Sequence, residues 1–548
     1  MVSLEINKTT LLKLIGKELT DEELIDILFN FKCEATIVGD SINCEITPDR
    51  LDLFSVEGIA RAIKQFLEIE PGLQKIPIMP STETIYVKNV KARPHIRAAI
   101  IRNMIFDEAF ILDLMQIQEK LHATIGRDRK KVAIGIHDIS KVQGPFTYKE
   151  VFPNEIRFMP LDMKKEMNLK EILEEHPKGK KYANLLKDFN MYPILLDAKE
   201  RVLSFPPIIN GELTRVSLET KDILIDVTGT DEKAVENTLN IIVSMLSFRG
   251  GIVEAVKISS DDFTKEFPSF EPKLIKIKKE LPEMILGTKL NLDDIPIFLE
   301  RMGYDAAIVG DSIEIFIPAY RVDVFSEMDI IEDIAIAYGY NNIIPELPKL
   351  ATKGEFSKKE KISKKIRTVM IGFAAQETLN FILTNENDCY TKMHVVPENY
   401  IKIKNPVSSE FNICRTWILP SLMKILSLNK HRSYPQKIFE VSDCIVPDNT
   451  QETKARNSRK LGFVVCHETA NLTEMKSYVE AFLSAFKIKY EIIKFEHPSF
   501  IPTRVGAIIC NGENVGFFGE IHPKVLEKWE LDKPVIAMEI DLDKIFNF

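Results

Sequence analysis

Two stretches of this chain repeat one another without a gap. Residues 32–55 read KCEATIVGDSINCEITPDRLDLFS and residues 304–326 read YDAAIVGDSIEIFIPAYRVDVFS, and adding 271 to the first numbering aligns 37–42 with 308–313. The same shift pairs Arg50 with Arg321, Asp52 with Asp323, Phe54 with Phe325 and Ser55 with Ser326. Upstream it pairs Gly16 with Gly287, Leu19 with Leu290, Leu24 with Ile295 and Leu28 with Leu299. A constant offset held over about 40 residues signals a repeated structural unit. The chain therefore builds one module twice, and residues that differ between the copies are not demanded by the module's fold.

Each copy reads as helix, hairpin, helix. Leu24, Ile27, Leu28 and Phe31 form a helical stripe, followed by a strand, a Gly-Asp turn and a second strand. The last helix of the second copy has a marked start: Ser326 as N-cap, Asp329 three residues on, and Phe325 placed to staple against Ile330. At 548 residues the chain exceeds one hydrophobic core, and the reading is an α+β multidomain protein. Its divisions are 1–85 for the first copy, 86–265 for a central mixed α/β domain, 270–345 for the second copy and 350–548 for a C-terminal domain. The central region mixes strand-like runs (VAIGIHDI, DILIDVTGT) with a helix over 231–248, and the charged, Pro-bearing stretch 267–282 reads as a linker. After Pro345 and Pro348, helices alternate with LGFVVCHE, VGAIICNG and VIAMEIDL, which predicts an antiparallel sheet.

Apolar residues at 45% and charged residues at 28% are those of a soluble globular protein, with no run near the roughly 18 apolar residues of a membrane span. The opening MVSLEINKTTLLKLIGKELT interleaves charges with apolar residues and does not read as a secretion signal. Seven cysteines without a C-x-x-C pair argue against a disulfide framework or thiolate zinc site and for a reducing cytosol. The net charge of -9 makes any nucleic-acid contact local. Candidate patches are 127–131 (RDRKK), the cluster Lys178, Lys180 and Lys181, and 358–367; a solvated face is the plain alternative for each.

Three groups could carry chemistry. Asp329, Glu332 and Asp333 stand at i, i+3 and i+4 on one helix face, with Asp323 just before it. Four converging carboxylates repel by on the order of 1 kcal/mol per close pair, and a hard cation such as Mg²⁺ removes that cost. The alternative is a helix N-terminus with acids facing water. The first copy carries Asp52, Gly58, Arg61 and Ala62 at these positions, so the module folds without three of the four acids. The second group is Ser204, Asn210, Arg215, Asp226 and Thr228, a polar set able to position water and a ribose-linked ester; a strand ending in a satisfied turn is the alternative. Neighbouring His137 and Asp138 can pair locally. The third observation is a lack: the C-terminal region has no phosphate loop, and Arg415 is a single cation in an apolar segment.

Taken in order, TPDRLDLF (47–54), IGIHD (134–138), FPPIIN (205–210), DVTGTD (226–231), RVD (321–323), AYGY (337–340), NKH (429–431), KIFE (437–440) and GEIHP (519–523) resemble the β subunits of phenylalanyl-tRNA synthetases in their shorter archaeal and eukaryotic form. The resemblance implies an assembly of two α and two β chains in the cytoplasm. The α subunit binds ATP and phenylalanine and charges tRNA(Phe), while β scaffolds and contacts the tRNA. It also implies a class II synthetase-like C-terminal domain without catalytic residues, and Mg²⁺ held by Asp323, Asp329, Glu332 and Asp333. The central region would be an editing domain that hydrolyses Tyr-tRNA(Phe) with Ser204, Asn210, Arg215, Asp226 and Thr228. The competing readings are a non-editing scaffold and a stand-alone metal-dependent hydrolase.

Overall fold

Both copies of the duplication fold alike. In the first, strand Val2–Asn7 leads through helices Lys8–Ile15 and Asp21–Asn30 into the hairpin Cys33–Val38 and Ser41–Ile46, a turn at Leu51–Leu53 and helix Val56–Phe66. In the second, strand Lys273–Lys278 leads through helices Leu281–Leu286 and Asp294–Arg301 into the hairpin Asp305–Val309 and Ser312–Ile317 and helix Glu327–Tyr338. Each builds a three-stranded sheet with the second hairpin strand at its centre. The hairpin turns show why the GD pair recurs. Val38 faces Ser41 and Val309 faces Ser312 across two-residue loops, and Gly39 and Gly310 sit at φ 61 and 62, where a β-carbon is disfavoured and such tight loops need the left-handed backbone.

The computed structural model describes residues 1–548 apart from Ser81 and Asp262, in two units, Met1–Leu347 and Pro348–Phe548. It corrects two local expectations. The stretch 267–282 is not a linker: Lys273–Lys278 pairs along its whole length with Ser312–Ile317. Its lysines hid a strand that buries Ile277 and turns its charges outward. Phe325 is 75% exposed and does not staple onto the buried Ile330. The cap itself forms, with the Ser326 amide donating to Asp329 Oδ2 at 2.7 Å.

Within the first unit the two modules meet. The Arg61 guanidinium lies 3.6 Å from the Tyr320 ring centroid, and Arg301 Nε donates to the Phe66 carbonyl at 3.1 Å. The duplicated Arg-x-Asp motif makes the same bidentate pair twice. Arg50 meets Asp52 at 2.9 and 3.0 Å; Arg321 meets Asp323 at 2.9 and 2.8 Å. The second copy adds Asp333, which accepts from Arg321 Nη2 at 2.6 Å and from the Tyr304 hydroxyl.

Between the modules lies an eleven-stranded sheet. From one end it runs Ile209–Asn210, Val202–Phe205, Tyr192–Leu196, Phe146–Val151, Thr84–Lys88, Ile252–Ser259, His95–Arg102, Ile223–Gly229, Val132–Asp138, with two short strands added on Ile252–Ser259. Helix Glu232–Phe248, capped by Asp231, packs against His95–Arg102 and Ile223–Gly229. The sheet curls until its ends nearly meet: Asn210 Nδ2 on the first strand donates to the Ile136 carbonyl on the last at 3.3 Å.

The second unit is a seven-stranded sheet, antiparallel except for the edge strand Gln376–Glu377, which runs parallel to Gln436–Pro447. Helices Lys358–Gly372, Leu419–Leu428 and Leu472–Ala485 cover it. Arg415 is no free cation: it pairs with Glu440 at 2.6 Å, both 1% exposed.

Two outcomes follow from the buried pairs in the first unit. Removing one partner of a buried ion pair costs about 3–5 kcal/mol because a charge is stranded, so Arg321→Met, which strands Asp323 and Asp333 together, is expected to lower unfolding free energy by that amount in urea titrations. The second concerns acid. Burial alone would raise the Asp323 carboxyl, but Arg321 beside it, with Arg50 behind, holds it at about 2. A depressed folded value stabilises above the unfolded value near 3.8 and loses that stability as pH falls through about 2. Stability measured against pH should therefore fall over that window, and the Asp323→Asn variant should lack that share of the slope.

Candidate functional site

Where the curled sheet fails to close, a cavity of about 240 Å³ opens between its two ends. Strand Ile223–Gly229 places one half of its chemistry: alternation puts Asp226 and Thr228 on one face of a wholly buried strand, with Ile225 and Val227 on the other. Ser204 comes from Val202–Phe205, Asn210 from the terminal strand and Thr214 from the turn Glu212–Thr214. All five line the cavity.

At its base runs a chain of three buried groups. Asp226 Oδ1 lies 2.7 Å from His137 Nε2, and His137 Nδ1 lies 2.8 Å from Thr214 Oγ1. Their exposures are 1%, 0% and 1%. A neutral imidazole satisfies the set when Nε2–H donates to the carboxylate and Nδ1 accepts from the threonine hydroxyl. The carboxylate is thereby fixed in orientation, with its other oxygen left to serve a ligand. Room for this contact depends on Gly135, where a β-carbon would stand 2.2 Å from Asp226 Oδ1 and 2.7 Å from His137 Nε2. Gly211 is likewise required, since a β-carbon there would lie 2.8 Å from the Val202 carbonyl oxygen.

Thr228 is held from behind by Arg93, whose Nη2 donates to the Thr228 carbonyl at 2.7 Å and Nε to Oγ1 at 3.3 Å. Burial pulls the Arg93 guanidinium down to about 10. Ser204 Oγ is the open contact: the residue is 2% exposed, yet among the described residues the hydroxyl has no hydrogen-bond partner. A buried orphan hydroxyl costs about 1–3 kcal/mol until something pairs with it, so it marks where a polar ligand atom belongs.

Of the five residues expected here, Ser204, Asn210, Asp226 and Thr228 converge. Arg215 stands at the mouth with its charge committed to Glu212 at 2.7 Å and Asp162 at 2.6 Å. His137 was expected to pair with Asp138; instead Asp138 accepts from the Ser140 amide and the Thr220 hydroxyl, while His137 turns to the opposite face and into the site. The pleat dictates this, because neighbours on a strand point to opposite faces. Thr214 stands beside Arg215 in the polar run that follows Asn210, and the IGIHD run was the available cue for Gly135 and His137.

The acidic group does not assemble as a cation cage. Asp323 and Asp333 share Arg321, Asp329 Oδ2 accepts from the Phe325 and Ser326 amides at 2.9 and 2.7 Å, and Glu332 reaches Lys32 of the first module at 2.9 Å. Among the described residues no group of three or more His, Cys, Asp or Glu is placed to hold a metal ion. Arg321 supplies the counter-charge of Asp323 and Asp333, while amides and Lys32 engage the other two acids, so this donor set as placed does not fit Mg²⁺. Adding EDTA to the isolated chain is therefore expected to leave its Tm unchanged by differential scanning calorimetry; a fall restored by Mg²⁺ would reinstate the cage.

Comparison with known proteins agrees with this architecture. The B3/4 domain model matches residues 84–250, the tRNA synthetase B5 domain model residues 275–340, and the phenylalanyl tRNA synthetase beta chain CLM domain model residues 343–542. Such a domain set defines a subunit of an aminoacyl-tRNA synthetase. The chain is 44% identical, over 99% of its length and the whole of the relative, to a phenylalanine–tRNA ligase beta subunit of Methanocaldococcus jannaschii. It is 40% identical, over the full length of both, to one of Pyrococcus horikoshii. A crystal structure of an N-terminal fragment of the phenylalanyl-tRNA synthetase beta subunit from Pyrococcus horikoshii is similar with a TM-score of 0.60 and 38% identity, over 62% of this chain and all of the fragment. The chain belongs to the family of phenylalanine–tRNA ligase β subunits, components of an aminoacyl-tRNA ligase that act with an α subunit. Among the described residues no helix is long and apolar enough to cross a membrane.

Proposed function

We propose that this chain is the scaffolding and proofreading subunit of a cytoplasmic α2β2 phenylalanine–tRNA ligase. The α subunit binds ATP and phenylalanine, and this chain hydrolyses tyrosine wrongly esterified to tRNA(Phe). A pocket shaped for phenylalanine discriminates poorly against a near-isostere that adds a hydroxyl, so a second site must remove the error. The observation that carries the reading is the cavity itself, where the orphan Ser204 hydroxyl faces the buried Asp226–His137–Thr214 chain.

The reaction needs no covalent intermediate. Water oriented by Asp226 attacks the ester carbonyl carbon, the bond to the ribose oxygen breaks, and that oxygen takes the proton, releasing tyrosine and the free 3′ end. Ser204 and Thr228 hydroxyls orient the ester, Asn210 ties the two sheet ends around it, and Ile134, Ile136 and Phe205 supply apolar wall. His137 and Thr214 are positioning residues that hold the carboxylate. In the second unit, Leu379 is 90% exposed and Phe381 77%, and the Phe381 ring lies against Phe411 at 5.8 Å. Exposed apolar surface of this kind suits a protein partner, here the α subunit.

The α–β complex carrying Asp226→Ala and Thr228→Ala together should deacylate Tyr-tRNA(Phe) at least about 100-fold more slowly, the scale of losing positioned acid–base help, and should accumulate Tyr-tRNA(Phe) in charging assays with tyrosine. Normal deacylation by that variant removes the pocket assignment.

A further inference from the structure

One wall of the cavity comes from two segments that the hydrolytic chemistry does not use, the turn over 124–130 and helix Pro177–Tyr182. Arg127, Asp128 and Arg129 have φ of 48, 53 and 64, so the backbone runs left-handed for three residues. Arg93 Nη1 secures it by donating to the Arg129 carbonyl at 3.0 Å, and the Lys131 amide closes the turn on the Gly126 carbonyl at 2.8 Å. The result aims Arg129 inward. It is 6% exposed, donates through Nη1 to the Pro207 and Ile208 carbonyls at 3.2 and 3.0 Å, and lies 4.6 Å from the Tyr182 ring centroid. Its Nε is buried without a hydrogen-bond partner. An unpaired buried donor on a charged group that lines a cavity calls for an acceptor from a ligand.

Other cations continue outward from this point. Lys178 lines the same cavity half-buried, its ammonium held below its ordinary value by burial and then by Arg129. Lys181 is exposed with Nζ 4.9 Å from the Tyr182 ring centroid. Among the described residues neither forms an ion pair, nor do the exposed Arg127 and Lys130 on the turn. Of the acids around them, Glu119 pairs with Arg129 at 2.8 Å and Asp162 with Arg215 at 2.6 Å, and the turn itself carries one exposed acid, Asp128. Local positive charge therefore runs from inside the cavity to the surface, on a chain whose net charge is -9. A single phosphate would satisfy one or two of these groups; a series stepping outward suits consecutive phosphates of one strand.

We propose that Arg129, Lys178 and Lys181 bind the phosphodiester backbone of the single-stranded 3′ end of a tRNA whose terminal ester occupies the cavity. The proposal rests on the editing reading above. Arg129 takes the innermost phosphate through Nε, and the two lysines hold the next ones as mobile point charges.

The test uses the complete complex with the α subunit, unmodified and with Lys178→Ala/Lys181→Ala, on two substrates: Tyr-tRNA(Phe) and the phosphate-free ester 3′-O-tyrosyladenosine. For the tRNA substrate the variant is expected to raise KM about tenfold with little change in kcat. Its slope of log KM against log salt should fall by about 1.4, since each lost single-strand phosphate contact removes about 0.7. Lys178→Arg/Lys181→Arg should restore both. An unchanged KM and salt slope would overturn the backbone site while leaving editing intact. Equal loss on the phosphate-free ester would overturn it as well, assigning the lysines to the shape of the cavity. Hydrolysis of neither substrate by the unmodified complex would overturn the editing reading and this site together.

Discussion

A guanidinium taken out of water needs a counter-charge or a set of carbonyl oxygens to replace its hydration, and the two modules of the first unit meet that demand with aspartates. Arg50 and Arg321 are both buried where the two modules meet, each gripping the aspartate two residues on in the same two-pronged geometry. Such pairs add little net stability compared with apolar packing, but leaving one member alone is expensive. Each pair lies within its own module, and the seam between the modules is made by Arg61 over Tyr320, Arg301 on the Phe66 carbonyl and Lys32 on Glu332. Asp333, present only in the second copy, shares Arg321 with Asp323 and is met by the Tyr304 hydroxyl, so the two copies are not symmetric. Of the acids that look like metal ligands, Asp323 and Asp333 are counter-ions of Arg321, Asp329 caps its helix and Glu332 pairs with Lys32.

The cavity is the consequence of a sheet that curls but does not close. Edge strands leave backbone groups unpaired, and a closing barrel normally satisfies them. Here the last ladder is replaced by one side-chain bridge, Asn210 to Ile136, and the gap holds polar groups in a dry wall. Low dielectric strengthens interactions among them. That is why a buried Asp–His–Thr chain and an unpaired serine can coexist within a few residues of isoleucines and phenylalanine, and why glycine is needed at 135 and 211, where any side chain would fill the space that the chemistry uses.

The second unit uses its buried charges as structural ties. Arg415 is locked to Glu440 in the interior, and Glu539 accepts from the Ile418 and Leu419 amides at the start of helix Leu419–Leu428 while pairing with Lys460. Its buried charges cap helices and pin strands.

Local pattern was legible wherever the physics is local. The 271-residue offset gave both modules, down to the Gly-Asp turns whose left-handed backbone only a short menu of residues accepts, and Ser326 and Asp329 gave a helix start. Period-two runs gave the strand that carries Asp226 and Thr228. What the tertiary structure alone decided was which distant groups share a space: Lys32 with Glu332, His137 with Asp226 and Thr214, Arg321 with Asp333, and the two lysine-bearing segments with one cavity. A sequence fixes what each side chain can do, but charges and hydrogen bonds act over a few ångströms of space, and the chain folds residues tens to hundreds of positions apart to within that distance.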